Sequence, residues 1–292
     1  MKPFKMHDRR AMLALMASAT VGMQCSTTRT GASRTFQNEL TIERDVALAT
    51  IHSIPANDPE RQAREHPLAY LRDCLEHYRS FVRDYSCTFV KQERVGANLK
   101  PEQITEVRFR ERPVYSVNMR WTHNEDAASH VLYVEDRWED ERGNDQAYVV
   151  PGGMLKLLGK LKQPIHGDLA KSVSRRTIDQ FGFGKSLELI LHYCEKAYAE
   201  GQLTLRMVGE TTVNGREAYV FERLLPYTGQ EEVYPDRLLR FCVDKEWRVP
   251  VVVYQYADDA GDELLGRYAL ENVSMNPGLP DSDFEIAALD RK

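Results

Sequence analysis

The sequence holds no CxxC pair, no glycine-rich strand-to-helix loop and no apolar run long enough to cross a bilayer as a helix. Each absence closes off a class of protein. Without CxxC spacing there is no zinc ribbon and no dithiol redox motif. Without the glycine-rich loop there is no phosphate cradle of the Rossmann or P-loop kind. Basic excess is lacking too: 44 Asp and Glu stand against 39 Lys and Arg, for a net charge of -5. A nucleic-acid partner is therefore not expected, because such proteins neutralise phosphates with a surplus of Lys and Arg. No internal repeat or low-complexity run breaks the chain. What remains is an ordinary globular composition, 42% apolar and 28% charged over 292 residues, with length enough to bury a core.

The first 25 residues differ from the rest. MKPFKMHDRR is positive, AMLALMASATVGM is an apolar stretch, and QCSTTRTGASRT is small and polar. That three-part order is an export signal, and its core is too short to span a bilayer. Asp8-Arg9-Arg10 leading into the apolar core has a twin-arginine character. The expected organisation is an export signal over 1–25, a flexible tether over 26–36 and a single α+β domain over 37–292. Cys25, followed by the Ser/Thr/Gly/Arg tether, is a candidate lipidation site that would anchor the chain to a membrane face, although Gly22-Met23-Gln24 is a poor lipobox. Cleavage after Ala32 is the alternative. Loss of Met1 to Gln24 removes four positive side chains and one negative, taking the net charge from -5 to -8. Both outcomes place the mature protein in the periplasm or cell envelope. Membrane contact is expected only through that anchor.

Beyond Cys25 lie Cys74, Cys87, Cys194 and Cys242. Cys74 and Cys194 fall on the apolar stripes of predicted helices, Cys87 and Cys242 inside predicted strands. Export permits a Cys87–Cys242 disulfide, but free cysteine packs as a small hydrophobe, and core filling is the favoured role for all four.

Periodicity predicts a first helix over 37–51 and a stronger one over 67–84. In the second, Leu68, Leu71, Leu75, Tyr78 and Val82 form one stripe, and Pro67 suits the first turn. The pattern then changes to alternation over 84–94, 103–112, 114–122 and 130–137. Residues 145–150 and 154–159, joined by Pro151-Gly152-Gly153, read as a hairpin, and 160–184 is irregular. SLELILHYCEKAYAEG, residues 186–201, is a helix stopped by Gly201. Two strands flank Asn214-Gly215, a type I′ turn signal. Strands over 237–244, 249–256 and 264–273 follow, and the tail 277–286 reads as loop. The fold class is α+β: about ten strands in a largely antiparallel, curled sheet with one wet face, covered by two or three helices.

Seven stretches, in order, carry a resemblance: DYSCTFVKQERV, RERPVYSVNMRW, VLYVED, SRRTIDQFGFG, NGREAYVFE, VDKEWRVPVVVYQYAD and LENVSMNPGLPDSDFE. Together they resemble domain of unknown function 1571, a family of exported bacterial proteins, over about Pro67 to Ile286. That family is similar to the LolA/LolB-like periplasmic lipoprotein carriers. The resemblance implies an unclosed β-barrel with helices as a lid over an apolar cavity that takes acyl chains. It transfers no individual residue.

The residues themselves single out few sites. Tyr115, Met119, Trp121 and Tyr133 are candidate cavity-wall residues, since Met and Trp suit a yielding apolar wall; a packed core is the competing account. Cys87 as a nucleophile would need His130 or His166 as base. The charged run 135–142 lacks the spacing of a calcium loop, so no metal or cofactor is expected. Arg175-Arg176 could clamp an anionic headgroup. The expected function is non-enzymatic binding of a lipid, an acyl chain or a lipoprotein anchor in an apolar groove. A cavity-free structural or interaction module of the cell envelope is the alternative.

Overall fold

The structure, a computed structural model, describes residues 58–290. The helix expected over 37–51 and the candidate Cys25 lie outside them. Chain order begins with helices α1 (Pro59–Glu65) and α2 (Pro67–Phe81), then strands β1 (Asp84–Val95), β2 (Asn98–Leu99), β3 (Gln103–Arg110), β4 (Ser116–His123), β5 (Ala128–Val134), β6 (Gln146–Pro151) and β7 (Leu161–Pro164). Helices α3 (Asp168–Val173) and α4 (Phe183–Ala199) come next, then β8 (Thr204–Val213), β9 (Arg216–Leu224), β10 (Leu238–Asp244), β11 (Pro250–Tyr256) and β12 (Leu264–Met275).

The twelve strands form one antiparallel sheet in the order β7-β6-β5-β4-β3-β1-β12-β11-β10-β9-β8, with β2 folded back onto β1. Most neighbours are joined by short turns. The exception is the central β1–β12 pair, which links the two halves across the whole domain. Asn214 and Gly215 both take positive φ, 51° and 77°, and make the tight β8–β9 turn that their dipeptide signals. The two terminal strands, β7 and β8, do not pair, so the barrel is open.

Cross-strand register assigns the two faces. Lys91, Tyr268, Val253, Phe241 and Phe221 lie directly opposite one another across β1, β12, β11, β10 and β9, and therefore share one face. The helices cover it. Tyr70 of α2 packs on Phe221 with centroids 5.7 Å apart, and Phe183 of α4 packs on Tyr85 of β1 at 4.8 Å. The α2 face that does this is Tyr70, Leu71, Cys74, Leu75 and Tyr78, all buried. Val82 turns to extended backbone and ends the helix.

The opposite face differs from the expected wet one. Val90, Ala269, Val252, Cys242 and Val220 form a buried row there. Long side chains of the next outward row, Glu222, Arg240, Tyr254 and Arg267, lie alongside that small apolar row and shade it with their stems and rings. Over β4–β6, the C-terminal segment covers that face. The tail predicted as loop makes two 3-10 turns, Asp281–Phe284 and Ile286–Asp290. It buries Phe284 and Leu289 against Leu132, Val134 and Trp138. One prolyl and polar-rich stretch thus supplies two core residues, which composition alone conceals.

The expected 145–159 hairpin is also corrected. Its first arm is β6, but Gly153–Leu158 is a 3-10 helix, and the strand that returns against β6 is Leu161–Pro164. The Cys87–Cys242 disulfide does not form; all four cysteines of the described residues are free and buried. Cys87 shares the helix-covered face with Phe89, whereas Cys242 lies in the outward row. Three strand spacings, about 14 Å, also separate β1 from β10.

Candidate functional site

Between the concave face and a lid formed by residues 163–182 and α4 lies a cavity of about 430 Å³. Such a volume falls in the range of roughly 300–1,000 Å³ common for small-molecule sites. Its walls draw on Ala147 of β6 and on Arg223 of β9. Those strands are eight spacings apart in the sheet order, about 38 Å if the sheet were flat. One cavity meets both because the sheet curls around it.

Sheet residues Phe89, Met119, Trp121, Val131, Val253 and Leu270 supply the apolar floor. The lid closes over it with Ile165, Leu169, Val173, Ile178 and Phe181, and α4 adds Leu189 and Ile190. Of the four residues singled out in the sequence, Met119 and Trp121 are in this lining. Tyr115 and Tyr133 are not. Tyr115 is locked into the core beneath the lid: its hydroxyl donates to the Phe181 carbonyl at 2.8 Å and to that of Ile178 at 3.0 Å. The Tyr133 hydroxyl donates to Asp145 at 2.8 Å. Sequence reading missed the lid, because 160–184 lacks a long periodic element. A short signal was present: Ile165, Leu169 and Val173 are spaced four apart, one face of a helix.

Polar groups interrupt the apolar wall at fixed places. The first is Glu93, which accepts from Tyr268 Oη at 2.8 Å and from Ser174 Oγ at 3.0 Å, and pairs with Lys91 at 3.1 Å. Burial alone would raise its pKa; Lys91 and the two hydroxyls outweigh that and hold it below the ordinary value. The second is the Arg223–Asp236–Gln255 set. Arg223 Nη2 donates to both Asp236 oxygens at 2.9 and 3.0 Å, and Gln255 Nε2 donates to Oδ2 at 2.9 Å. Among the described residues, Arg223 Nε, Gln255 Oε1 and Trp121 Nε1 are buried without a protein hydrogen-bond partner, and all three residues line the cavity. Each such atom costs about 1–3 kcal/mol unless something else satisfies it.

The arginine pair divides. Arg175 is tied to Glu231 at 2.5 Å and to the Pro235 carbonyl at 3.0 Å. Arg176 lies in the cavity lining, its guanidinium 5.8 Å from the Tyr268 ring.

Cys87 meets neither suggested base. Burial pushes its thiol far above the ordinary range, and pushes those of Cys74 and Cys242 up to about 12. They stay protonated and poorly nucleophilic. His130 of β5 faces outward beside Asn118 of the neighbouring β4, its Nε2 2.6 Å from Asn118 Oδ1. Asn118 Nδ2 donates to the Asp283 carbonyl at 2.6 Å, so its oxygen faces the histidine and Nε2 carries the proton. His166 is exposed and 3.5 Å from Asp179. Two carboxylates of the charged run, Asp136 and Glu139, lie within 4.8 Å of each other and of Asp145 just beyond it. Two of these residues are exposed, and Asp145 already accepts from Tyr133; the run reads as a solvated turn.

Burial, with Arg120 and Arg108 nearby, lowers the pKa of His130 from 6.5 to about 4. Between these values the unfolded chain binds a proton that the folded chain does not. Stability is therefore full above pH 6.5 and is lost as pH falls toward 4, by on the order of 2–3 kcal/mol. Melting temperatures measured across that window should fall for the parent. His130→Gln should remove this part of the slope; an unchanged slope would remove His130 as its cause.

Fold and site together define an open, helix-lidded antiparallel sheet curled around an apolar cavity. The chain belongs to the family described as "Protein of unknown function (DUF1571)", whose model matches residues 82–290. No curated protein matches it. Solved structures that are similar include the Pseudomonas aeruginosa MucA/MucB complex, at 15% identity and TM-score 0.45, covering 76% of this chain and 62% of that one. This chain thus spans less than two thirds of that structure's chain. The lipoprotein LppX of Mycobacterium tuberculosis is similar at 12% identity and TM-score 0.41, with 74% and 99% covered. A LolA superfamily protein of Nitrosomonas europaea is similar at 9% identity and TM-score 0.27, with 75% and 98% covered. Among the described residues no helix is long and apolar enough to cross a membrane.

Proposed function

We propose that this chain is an exported cell-envelope protein that holds a lipid, an acyl chain or a lipoprotein's anchor in its cavity and performs no chemistry on it. One observation carries the reading: a cavity of about 430 Å³ between the curled sheet and the lid, its exposed wall mostly apolar. Each methylene moved from water into such a wall contributes about 0.8 kcal/mol. The polar atoms without protein partners give a bound molecule's polar end something to meet. Protonated, buried thiols support a role without catalysis. The tripartite N-terminus supports export, and Cys25 is the residue proposed to carry an acyl anchor.

Trp121 offers a direct test. Titration with a long-chain fatty acid should shift its fluorescence to the blue, and Trp121→Phe should abolish the shift. Met119→Trp, which fills the floor, should weaken uptake about tenfold or more, the worth of two lost methylenes. A protein that, extracted gently and weighed intact, never carries or takes up an acyl ligand would defeat the reading in favour of a cavity-free envelope module.

A further inference from the structure

Among the described residues, the largest concentration of exposed apolar side chains is on one short segment. Met154 is 92% exposed, Leu157 96% and Leu158 60%, with Leu155 beside them, all on the 3-10 helix Gly153–Leu158 between β6 and β7. Leu169 of the lid is 53% exposed as well. Exposed apolar side chains grouped on one segment in this way are the pattern of a surface that meets a partner or a membrane.

Its base is fixed rather than loose. Gly152 N donates to the Ala127 carbonyl at 3.0 Å, Gly153 N donates to Glu125 at 3.1 Å, and Lys156 pairs with Glu125 at 2.8 Å. The strand entry that holds it, Asp126 to Ala128, lines the cavity, as does Leu169. The exposed tips therefore stand on a segment anchored to a stretch of chain that lines the cavity.

Charge decides what covers them. The chain as a whole carries -5, yet residues 153–173 contain Lys156, Lys160, Lys162 and Lys171 against Asp168 alone. Two of those lysines bridge outward, Lys156 to Glu125 and Lys160 to Asp290 at 2.6 Å. Lys162 is exposed over the Tyr148 ring at 5.7 Å. Lys162 and Lys171, both exposed, are left to offset Asp168. Apolar tips in a stretch of chain with this small lysine excess, on an otherwise acidic protein, complement an anionic bilayer surface, side chains entering the acyl boundary while ammonium groups meet the headgroups.

We propose that Met154, Leu157 and Leu158, with the lysines of the same stretch of chain, form a docking surface for anionic lipid bilayers beside the cavity. The contact stands by itself. Only its purpose, passage of a chain between bilayer and cavity without crossing water, rests on the proposed function above.

The test uses the full chain with Cys25→Ser, which removes any acyl anchor; the remaining cysteines are buried. An environment-sensitive dye is placed at Met154→Cys or, as a control, at Tyr198→Cys on α4. Vesicles of phosphatidylethanolamine and phosphatidylglycerol carrying brominated chains should quench the dye at 154 and leave that at 198 unaffected. Phosphatidylcholine vesicles should quench it less, and raising salt from about 0.05 to about 0.5 M should weaken the effect on the anionic ones. Met154→Asp with Leu157→Asp should lower vesicle affinity about tenfold or more while fatty-acid uptake seen by Trp121 persists. Absence of quenching at 154, or vesicle affinity unchanged by the double substitution, overturns the docking surface, including where a partner protein or the chain's own N-terminal residues are found to cover it. Vesicle contact without fatty-acid uptake would instead defeat the cavity reading and leave this surface standing.

Discussion

Asp236→Ala is expected to lower stability by about 3–5 kcal/mol, the cost of stranding a buried charge. In a domain of this size that is a fall in melting temperature of roughly 10 °C or more. Arg223 and Asp236 are 1% and 0% exposed, so neither can turn to water when its partner goes. Burial works against the Arg223 charge, but Asp236 outweighs it and holds the guanidinium's pKa above its ordinary value. Removing the carboxylate leaves the cation with the Ile190 carbonyl at 3.3 Å, and leaves Gln255 Nε2 without its acceptor. The double change Arg223→Met with Asp236→Leu removes both charges together and should recover most of the loss. Thermal melts of the parent and the two variants decide it. Equal stability of the single and double variants would mean that the pair is not what holds β9 to the segment before β10. The same double variant should bind a polar-ended ligand more weakly, because Arg223 and Gln255 then offer it nothing.

The second large effect comes from a single methyl group. Gly184→Ala should destabilise by about 3 kcal/mol, the upper part of the range for overpacking, although in an exposed helix the same change gains up to about 1 kcal/mol. A Cβ at 184 would stand 2.3 Å from Tyr78 Cε1 and 2.9 Å from Cζ. That ring cannot retreat: Tyr78 is buried, and its hydroxyl is held by Glu111 at 2.5 Å. α2 and α4 therefore cross at a point that only glycine permits. Gly184→Ala together with Tyr78→Leu opens the space and should regain part of the loss. A melt in which Gly184→Ala equals the parent would show that the crossing relaxes freely.

Why some of this was legible in the sequence and some was not follows from the range of the forces involved. Strand alternation, Asn214-Gly215 and the α2 stripe are local patterns, written within ten or so residues, and each appears where it was expected. Met119 and Trp121 share the cavity floor because alternation puts them on one face. Tyr115 falls on that face too, yet hydrogen bonds from a lid some sixty residues later take it into the core, and no local pattern contains that. The exposed leucines of 153–158 were mistaken for a strand because apolar runs of that length suit either reading. Phe284 and Leu289 were hidden for the opposite reason: a short polar tail becomes core only when a distant sheet face needs covering. Asp236 lies in a polar loop stretch, and its burial depends wholly on Arg223 and Gln255 arriving from two other strands.

The unpaired seam between β7 and β8 has one more consequence. A closed barrel has its girth fixed by strand number and stagger, and can widen only by rupturing a ladder. A hoop left unzipped can loosen by a small change of twist spread over eleven strands, with every ladder bond kept. Under the proposed function, guests of different calibre would then be housed at nearly the same cost, and tolerance of chain length and branching would lie in the circumference rather than in any one wall residue.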